Sequence, residues 1–257
     1  MRRIVSDRVG FRELPPEVVL TSYFTTRPDP QRTTTAGEQV SVSSDAYDYM
    51  HPWYMSMKEI GLPGVIFHDS LSEDFVRRYT TDRLHFVRVE LGPYSTNDER
   101  FLLYYLYLSQ MRHEKLFMTD ISDVFVKHDP FPLITDTHTL WIGQDMPSTP
   151  TIASNQWAVQ KANRLQREGK GAVQFDASFG DMPLMNAGVI GGSYPAVMRL
   201  LLELCAIFCH IDNANNHNMM ALHYAVYRNQ LPVQVGYPLT SGFKRYEINS
   251  DACLIHK

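Results

Sequence analysis

The stretch 115–131, "KLFMTDISDVFVKHDPF", decides how this chain is read. Its apolar run Leu116–Met118 ends at Asp120 and Asp123, and a second apolar run, Val124–Val126, follows before Asp129–Pro130. Both runs read as short buried strands. Carboxylates between them either finish a turn, by accepting from nearby backbone N–H groups, or hold something positive. Two carboxylates three residues apart can share a divalent cation, and Mg²⁺ and Mn²⁺ are the hard ions that suit oxygen ligands.

Upstream of this stretch, strands and helices alternate. "EVVLTSYFTT" (17–26) reads as a strand, and "RPDPQRTTTAG" (27–37) as a polar surface loop. "AYDYMHPWYMSMKEIG" (46–61) reads as a helix, with Tyr47, Met50, Tyr54 and Met57 on its apolar face and Gly61 as its stop. "GVIFHD" (64–69) is a strand, and "LSEDFVRRY" (71–79) a helix capped by Ser72. "LHFVRVEL" (84–91) is a strand and "STNDERFLLYYLYLSQM" (95–111) an apolar helix, which makes "KLFMTD" the fourth strand. This alternation predicts an α/β domain with a mostly parallel mixed central sheet flanked by helices. Ligands in such sheets sit beyond the carboxyl ends of the strands, which here read Thr21–Ser22–Tyr23, His68–Asp69 and Asp120.

Downstream, 154–171, 196–210 and 215–230 read as helices. "MPLMNAGVIGGSYP" (182–195) reads as a strand broken by small residues, with Gly191–Gly192 expected to turn into the next helix. Asn186–Ala187–Gly188 offers an amide and a small surface over which a ligand can approach the backbone closely. "ACLI" (252–255) reads as a buried strand that would hold His256 and Lys257 in place.

The 257 residues, 44% hydrophobic, suit a single domain with a large core. A net charge of -4 argues against a nucleic-acid partner. Three cysteines make no disulfide framework, and Cys205 and Cys209, four apart in an apolar helix, are expected to be buried thiols, as a reduced compartment permits. "MRRIVSDRVG" lacks the apolar core of a secretory signal. "LLLELCAIF" (200–208) carries Glu203 and is too short to span a bilayer, so no transmembrane segment is expected and a cytoplasmic location is favoured. Neither a G-x-G-x-x-G nor a Walker loop occurs.

Taken in order, the strand-ending acids, the downstream "NAG", a polar helix start and a late histidine resemble GT-A fold glycosyltransferases. The likeness is to retaining enzymes such as the bacterial lipopolysaccharide galactosyltransferases and glycogenin. It runs from about Val18 to Lys257 and rests on order and spacing more than on any single motif. It implies a Rossmann-like GT-A fold in one domain, 1–257, with a nucleotide-binding half at about 17–130 and an acceptor and metal-completing half at about 131–257.

The same likeness implies a site. Asp120, Asp123 and His256 would hold Mn²⁺ or Mg²⁺, which would bind the diphosphate of a nucleotide-sugar donor, a UDP-sugar being favoured. The family's acidic motif is usually D-x-D and this chain has D-I-S-D, so Asp123 matches the last acid and either Asp120 or Ser122 the first. Lys257 would bind phosphate, and Thr21, Ser22, Tyr23 and Asp69 would face the base and ribose. Arg100 would reach the nucleotide, and Asn186, Ala187 and Gly188 would form the pocket wall.

One position departs from the family. An Asp-Gln pair is expected some thirty residues after "NAG", and the chain has His217–Asn218 there, with Asp181 and Asp212 the nearest acids. His217 could act as a base in an inverting reaction or simply cap a helix, so the stereochemistry stays open. Asp145 is a candidate for sugar hydroxyls. Trp157 could stack on an acceptor sugar, although packing is its plainer role. The expected function is transfer of a sugar to a hydroxyl acceptor, a glycan or another alcohol. A non-catalytic nucleotide-sugar or carbohydrate-binding protein is the alternative. A phosphatase of the haloacid dehalogenase type is disfavoured, because no Gly-Thr follows the acids.

Overall fold

Short apolar runs with no polar face can be buried only between two layers of helix, and the chain does this with one continuous sheet. The computed structural model describes residues 3–5, 11, 13–28, 42–245 and 247–257. Most of the loop expected at 27–37 lies outside the described residues.

The first half contains strands β1 (Arg3–Ile4), β2 (Glu17–Tyr23), β3 (Gly64–His68), β4 (Leu84–Glu90), β5 (Lys115–Thr119) and β6 (Val124–Val126). Helices α1 (Tyr47–Ile60), α2 (Glu73–Tyr79) and α3 (Thr96–Leu108) lie between them. The second half supplies β7 (Leu140–Gln144), α4 (Gln156–Glu168), β8 (Met185–Ser193), α5 (Tyr194–Phe208), α6 (Asn218–Asn229), β9 (Val233–Val235) and β10 (Leu254–His256).

Eight strands form a mixed, mostly parallel sheet in the order β1-β4-β3-β2-β5-β8-β7-β9. β4, β3, β2 and β5 run parallel, β8 runs against both β5 and β7, and β9 is parallel to β7. The sheet thus crosses both halves of the chain. β6 leaves it and pairs antiparallel with β10 in a separate two-stranded ribbon. Successive residues of β2 show how the sheet is buried on both faces. Val18 and Leu20 join a core with Phe101, Leu103 and Leu200, while Val19 joins a second core with Trp53, Met57 and Phe117.

Local signals are met where expected. Gly61 ends α1 with φ 77°, its N–H donating to Met57 O at 3.0 Å, a conformation glycine adopts without steric cost. Ser72 Oγ caps α2 by accepting from Phe75 N–H at 3.1 Å. Two expectations fail. Gly191–Gly192 is no turn, because β8 runs unbroken through both residues. Gly191 faces Phe117 across the β5–β8 pair, and a Cβ there would lie 2.0 Å from the phenyl ring, so the glycine makes room for that ring. The thiols are not both buried either. The inward face of α5 is Val197, Leu200, Leu204 and Phe208, which leaves Cys205 half-buried and Cys209 exposed. Among the described residues no helix is long and apolar enough to cross a membrane.

Candidate functional site

Strand order creates the crevice. β2 has β3 on one side and β5 on the other, so the connections leaving β2 and reaching β5 diverge and open a gap at their carboxyl ends. Ser22, near the end of β2, and Asp120, just past β5, line it. β8 runs the opposite way, so its beginning, Asn186–Gly188, arrives at the same edge. Asp120 is fixed there by its N–H donating to Gly188 O at 2.8 Å.

The ribbon delivers the third group. His256 pairs with Val124, next to Asp123, and Lys257 N–H donates to Asp123 O at 2.8 Å. His256 is buried, and among the described residues neither of its ring nitrogens has a hydrogen-bond partner. Nε2 stands 4.0 Å from Asp120 Oδ2 and 3.8 Å from Asp123 Oδ2. One ligand atom from each of the three residues lies within 4.8 Å of the others. Atoms about 2.1 Å from one octahedral ion stand about 3.0 Å apart when adjacent and about 4.2 Å apart when opposite, so this cluster can close on a cation with small side-chain adjustments. Gly188 keeps the space open. A Cβ there would come within 2.5 Å of both Asp120 Oδ2 and His256 Cε1.

Electrostatics favour ligand-ready protonation states. Burial raises the pKa of Asp120, but Arg100 and His256 outweigh it and the net shift is downward. Arg100 is itself buried, its Nη1 paired with Asp120 and its Nη2 donating to Ala187 O at 3.0 Å. Burial, only partly offset by Asp120, pushes the His256 pKa down to about 4, so at neutral pH the ring carries a lone pair and no charge. A third carboxylate lines the crevice. Asp145, at the end of β7, accepts from Asn186 Nδ2 at 3.1 Å and Met146 N–H at 2.7 Å, and burial holds its pKa above the usual range.

The site opens into a cleft of about 630 Å³, within the usual span for a small-molecule site. Its other wall comes from α4 and the start of α6. Asn155 caps α4 by accepting from Ala158 N–H at 3.0 Å. Ala158, Ala162 and Leu165 turn inward, leaving Trp157 and Lys161, one turn apart, on the cleft. Trp157 is 44% exposed, so the expectation that it packs into the core is corrected. The start of α6 is fixed from α3, because Asp98 accepts the His217 N–H at 3.1 Å. Burial, moderated by Ser95 and by the backbone N–H groups of His217 and Asn218, lifts the Asp98 pKa to about 7.

Of the residues expected in the site, Asp120, Asp123, His256, Arg100, Ser22, Asn186, Ala187, Gly188 and Asn218 line this cleft. The others do not. Thr21 is buried and donates to Thr119 O at 2.8 Å, and the Tyr23 hydroxyl donates to Ala46 O at 2.9 Å in the core. Asp69 accepts from the N–H groups of Thr25 and Thr26, each at 3.0 Å, and so ties the end of β3 to the segment that follows β2. Lys257 has its ammonium 5.5 Å from the Phe125 ring centroid, off the cleft. Asp181 is exposed at the end of a short 3-10 turn.

His217 is neither a cleft-facing base nor a side-chain cap. It occupies the N-cap position of α6 without a side-chain cap bond. Its buried ring meets Glu168 of α4, Nε2 to Oε2 2.7 Å. Burial lowers its pKa, with Glu168 only partly offsetting the effect. Lys161, Asn97, Asn216, Phe243 and Lys244 line the cleft and were not read from the sequence. For Lys161 alone a signal existed, its i,i+4 spacing from Trp157 on the polar face of α4. No protein-family profile matches the chain, and no curated protein sequence matches it.

Proposed function

We propose that the protein is a metal-dependent glycosyltransferase of GT-A type, moving a sugar from a nucleoside-diphosphate donor, a UDP-sugar being favoured, to a hydroxyl acceptor. The observation that carries this reading is His256, a buried imidazole with both nitrogens unmatched among the described residues, set between Asp120 and Asp123 at the switch point of an α/β sheet. One imidazole among carboxylates favours Mn²⁺ over Mg²⁺, which prefers an all-oxygen set. When bound, the ion would neutralise charge on the leaving diphosphate.

The remaining roles belong to this chain. Arg100 keeps Asp120 ionised and oriented, and Gly188 preserves the space beside it. Ser22, which lines the cleft, would face the base or ribose. Asp145 takes the role first expected of His217: it lines the cleft, and a carboxylate with a raised pKa is a stronger acceptor for a hydroxyl proton near neutral pH. The test is thermal unfolding with UDP in the presence and absence of Mn²⁺. Saturating UDP at about 100 times its Kd adds about 2.7 kcal/mol, a Tm rise of roughly 5–10 °C for a chain of this size. It should occur only with Mn²⁺ and vanish in Asp123→Ala. A rise without metal, or one that survives Asp123→Ala, contradicts the proposed centre.

A further inference from the structure

The geometry points to a second binding surface in the cleft, on the wall made by α4 and the start of α6, built for a saccharide that carries an anionic group. Trp157, Lys161, Asn216 and Asn218 line the main cleft on this wall, contributed by α4 and the start of α6, whereas Asp120, Asp123 and His256 line it from the β5–β6 connection and β10. The polar groups of this wall face one way chemically. Asn218 Oδ1 accepts from Met219 N–H at 2.7 Å, and Asn216 Oδ1 accepts from Asn218 N–H at 3.3 Å. Each carboxamide oxygen thus accepts one backbone bond, while the two Nδ2 groups have no acceptor among the described residues. Lys161 adds a positive charge. Of the two carboxylates whose charge reaches Lys161, Glu168 is engaged by Arg164 at 2.9 Å and His217 at 2.7 Å, and Asp98 accepts the His217 N–H at 3.1 Å. Lys161 itself forms no ion pair among the described residues, and its ammonium stands 5.6 Å from the Trp157 ring.

A surface that offers two amide donors, an ammonium and an exposed indole selects a ligand rich in acceptor oxygens with a flat apolar face. A pyranose supplies the face and hydroxyl oxygens, and a carboxylate or phosphate on it supplies the charge that Lys161 lacks. A neutral sugar would cover the ammonium without compensating it. On the transferase reading, on which this assignment of role rests, the ligand is the acceptor. The binding chemistry itself does not depend on that reading.

Trp157 also provides the probe. It is the exposed indole of the three, Trp53 being fully buried and Trp141 partly so. Tryptophan emission is titrated with glucuronate, glucose 6-phosphate and glucose, in wild type and Lys161→Gln. A charge-assisted contact is expected to make at least one anionic sugar bind about tenfold or more tighter than glucose. The preference should disappear in Lys161→Gln, while the Mn²⁺-dependent response to UDP is unchanged in that variant. Which anionic sugar binds separates carboxylate from phosphate. Binding of Trp157→Leu is followed by calorimetry, and should weaken for charged and neutral sugars alike. Equal affinity for glucose and both anionic sugars, no binding of either anionic sugar, or a preference that persists in Lys161→Gln overturns the inference. So does loss of the UDP response in Trp157→Leu, which would give this wall to the nucleotide. Anionic-sugar binding that survives while the UDP and Mn²⁺ response is absent from wild type would instead overturn the transferase reading alone.

Discussion

Replacing Gly188 by alanine is the sharpest test of the metal cluster. The added Cβ would stand 2.5 Å from Asp120 Oδ2 and 2.5 Å from His256 Cε1, and 2.9 Å from Asn186 Oδ1. Ordinary van der Waals contact begins near 3.4 Å. Each of the first two groups must therefore retreat by about 0.9 Å, whereas metal–ligand distances tolerate about 0.2 Å. Neither has an easy retreat: Asp120 is paired with Arg100, and the His256 ring packs 4.5 Å from that of Phe243. Overpacking of this kind costs about 1–3 kcal/mol, and Mn²⁺ affinity should fall by at least ~10–100-fold, the usual effect of disturbing a metal's supporting groups. Gly61→Ala is the control. At φ 77° with no neighbour within 4 Å of its Cβ, that glycine is costly to replace for backbone reasons alone and lies away from the cleft. Urea unfolding should show both variants destabilised, while Mn²⁺ titration followed by electron paramagnetic resonance should show binding lost only in Gly188→Ala. A folded Gly188→Ala protein that binds Mn²⁺ within about twofold of wild type would refute the cluster as a metal centre, given the displacement required.

Two further predictions concern protons. Asp98 has its folded pKa raised from 3.8 to about 7, so the stability it contributes is full below pH 3.8 and lost as pH rises toward 7. Between about pH 5 and about pH 8 that loss amounts to roughly 2–3 kcal/mol. Urea unfolding should therefore show wild type losing that much relative to Asp98→Asn across the interval. The buried histidines His68, His217 and His223, with lowered pKa values, act in the opposite sense but are common to both proteins. Parallel pH curves would contradict the assignment. For the proton acceptor, Asp145→Asn should abolish transfer to a hydroxyl while keeping the Mn²⁺-dependent UDP response, and His217→Gln should lower Tm yet keep turnover. The reverse pattern would restore His217 as the base.

The sequence carried the local signals well and the long-range ones poorly. α1 with its Gly61 stop, α2 with its Ser72 cap and the strand ending at Asp120 were legible, because periodicity and capping act over a few residues. The direction of β8 was not, since a run of apolar residues reads the same in either orientation. That direction brings Asn186–Gly188 to the ligand edge and turns the supposed Gly191–Gly192 break into strand. His217 misled for the same reason. Its burial depends on Asp98 and Glu168, both distant in sequence, and no pattern around "NNHNMM" reports them. Of the two roles open to Trp157, packing is the plainer because an indole is apolar, yet its helix already has an inward face in Ala158, Ala162 and Leu165. Asp120, Asp123 and His256 were legible together only through the order of motifs, and the ribbon that joins them could not be foreseen.

That ribbon has a mechanical consequence. Three residue pairs attach β10 to β6, and on its other side Leu254 N–H donates to Leu239 O at 2.8 Å and His256 N–H to Ser241 Oγ at 3.1 Å. An ion shared by Asp123 and His256 would act as a clasp between the middle of the chain and its last strand. Closing the loop of about 130 residues between them constrains the unfolded chain by up to about 5 kcal/mol in the polymer description of cross-links. The amides of Leu254, Ile255 and His256 should then exchange more slowly when Mn²⁺ is added, making the occupancy of the centre readable from the exchange kinetics of β10.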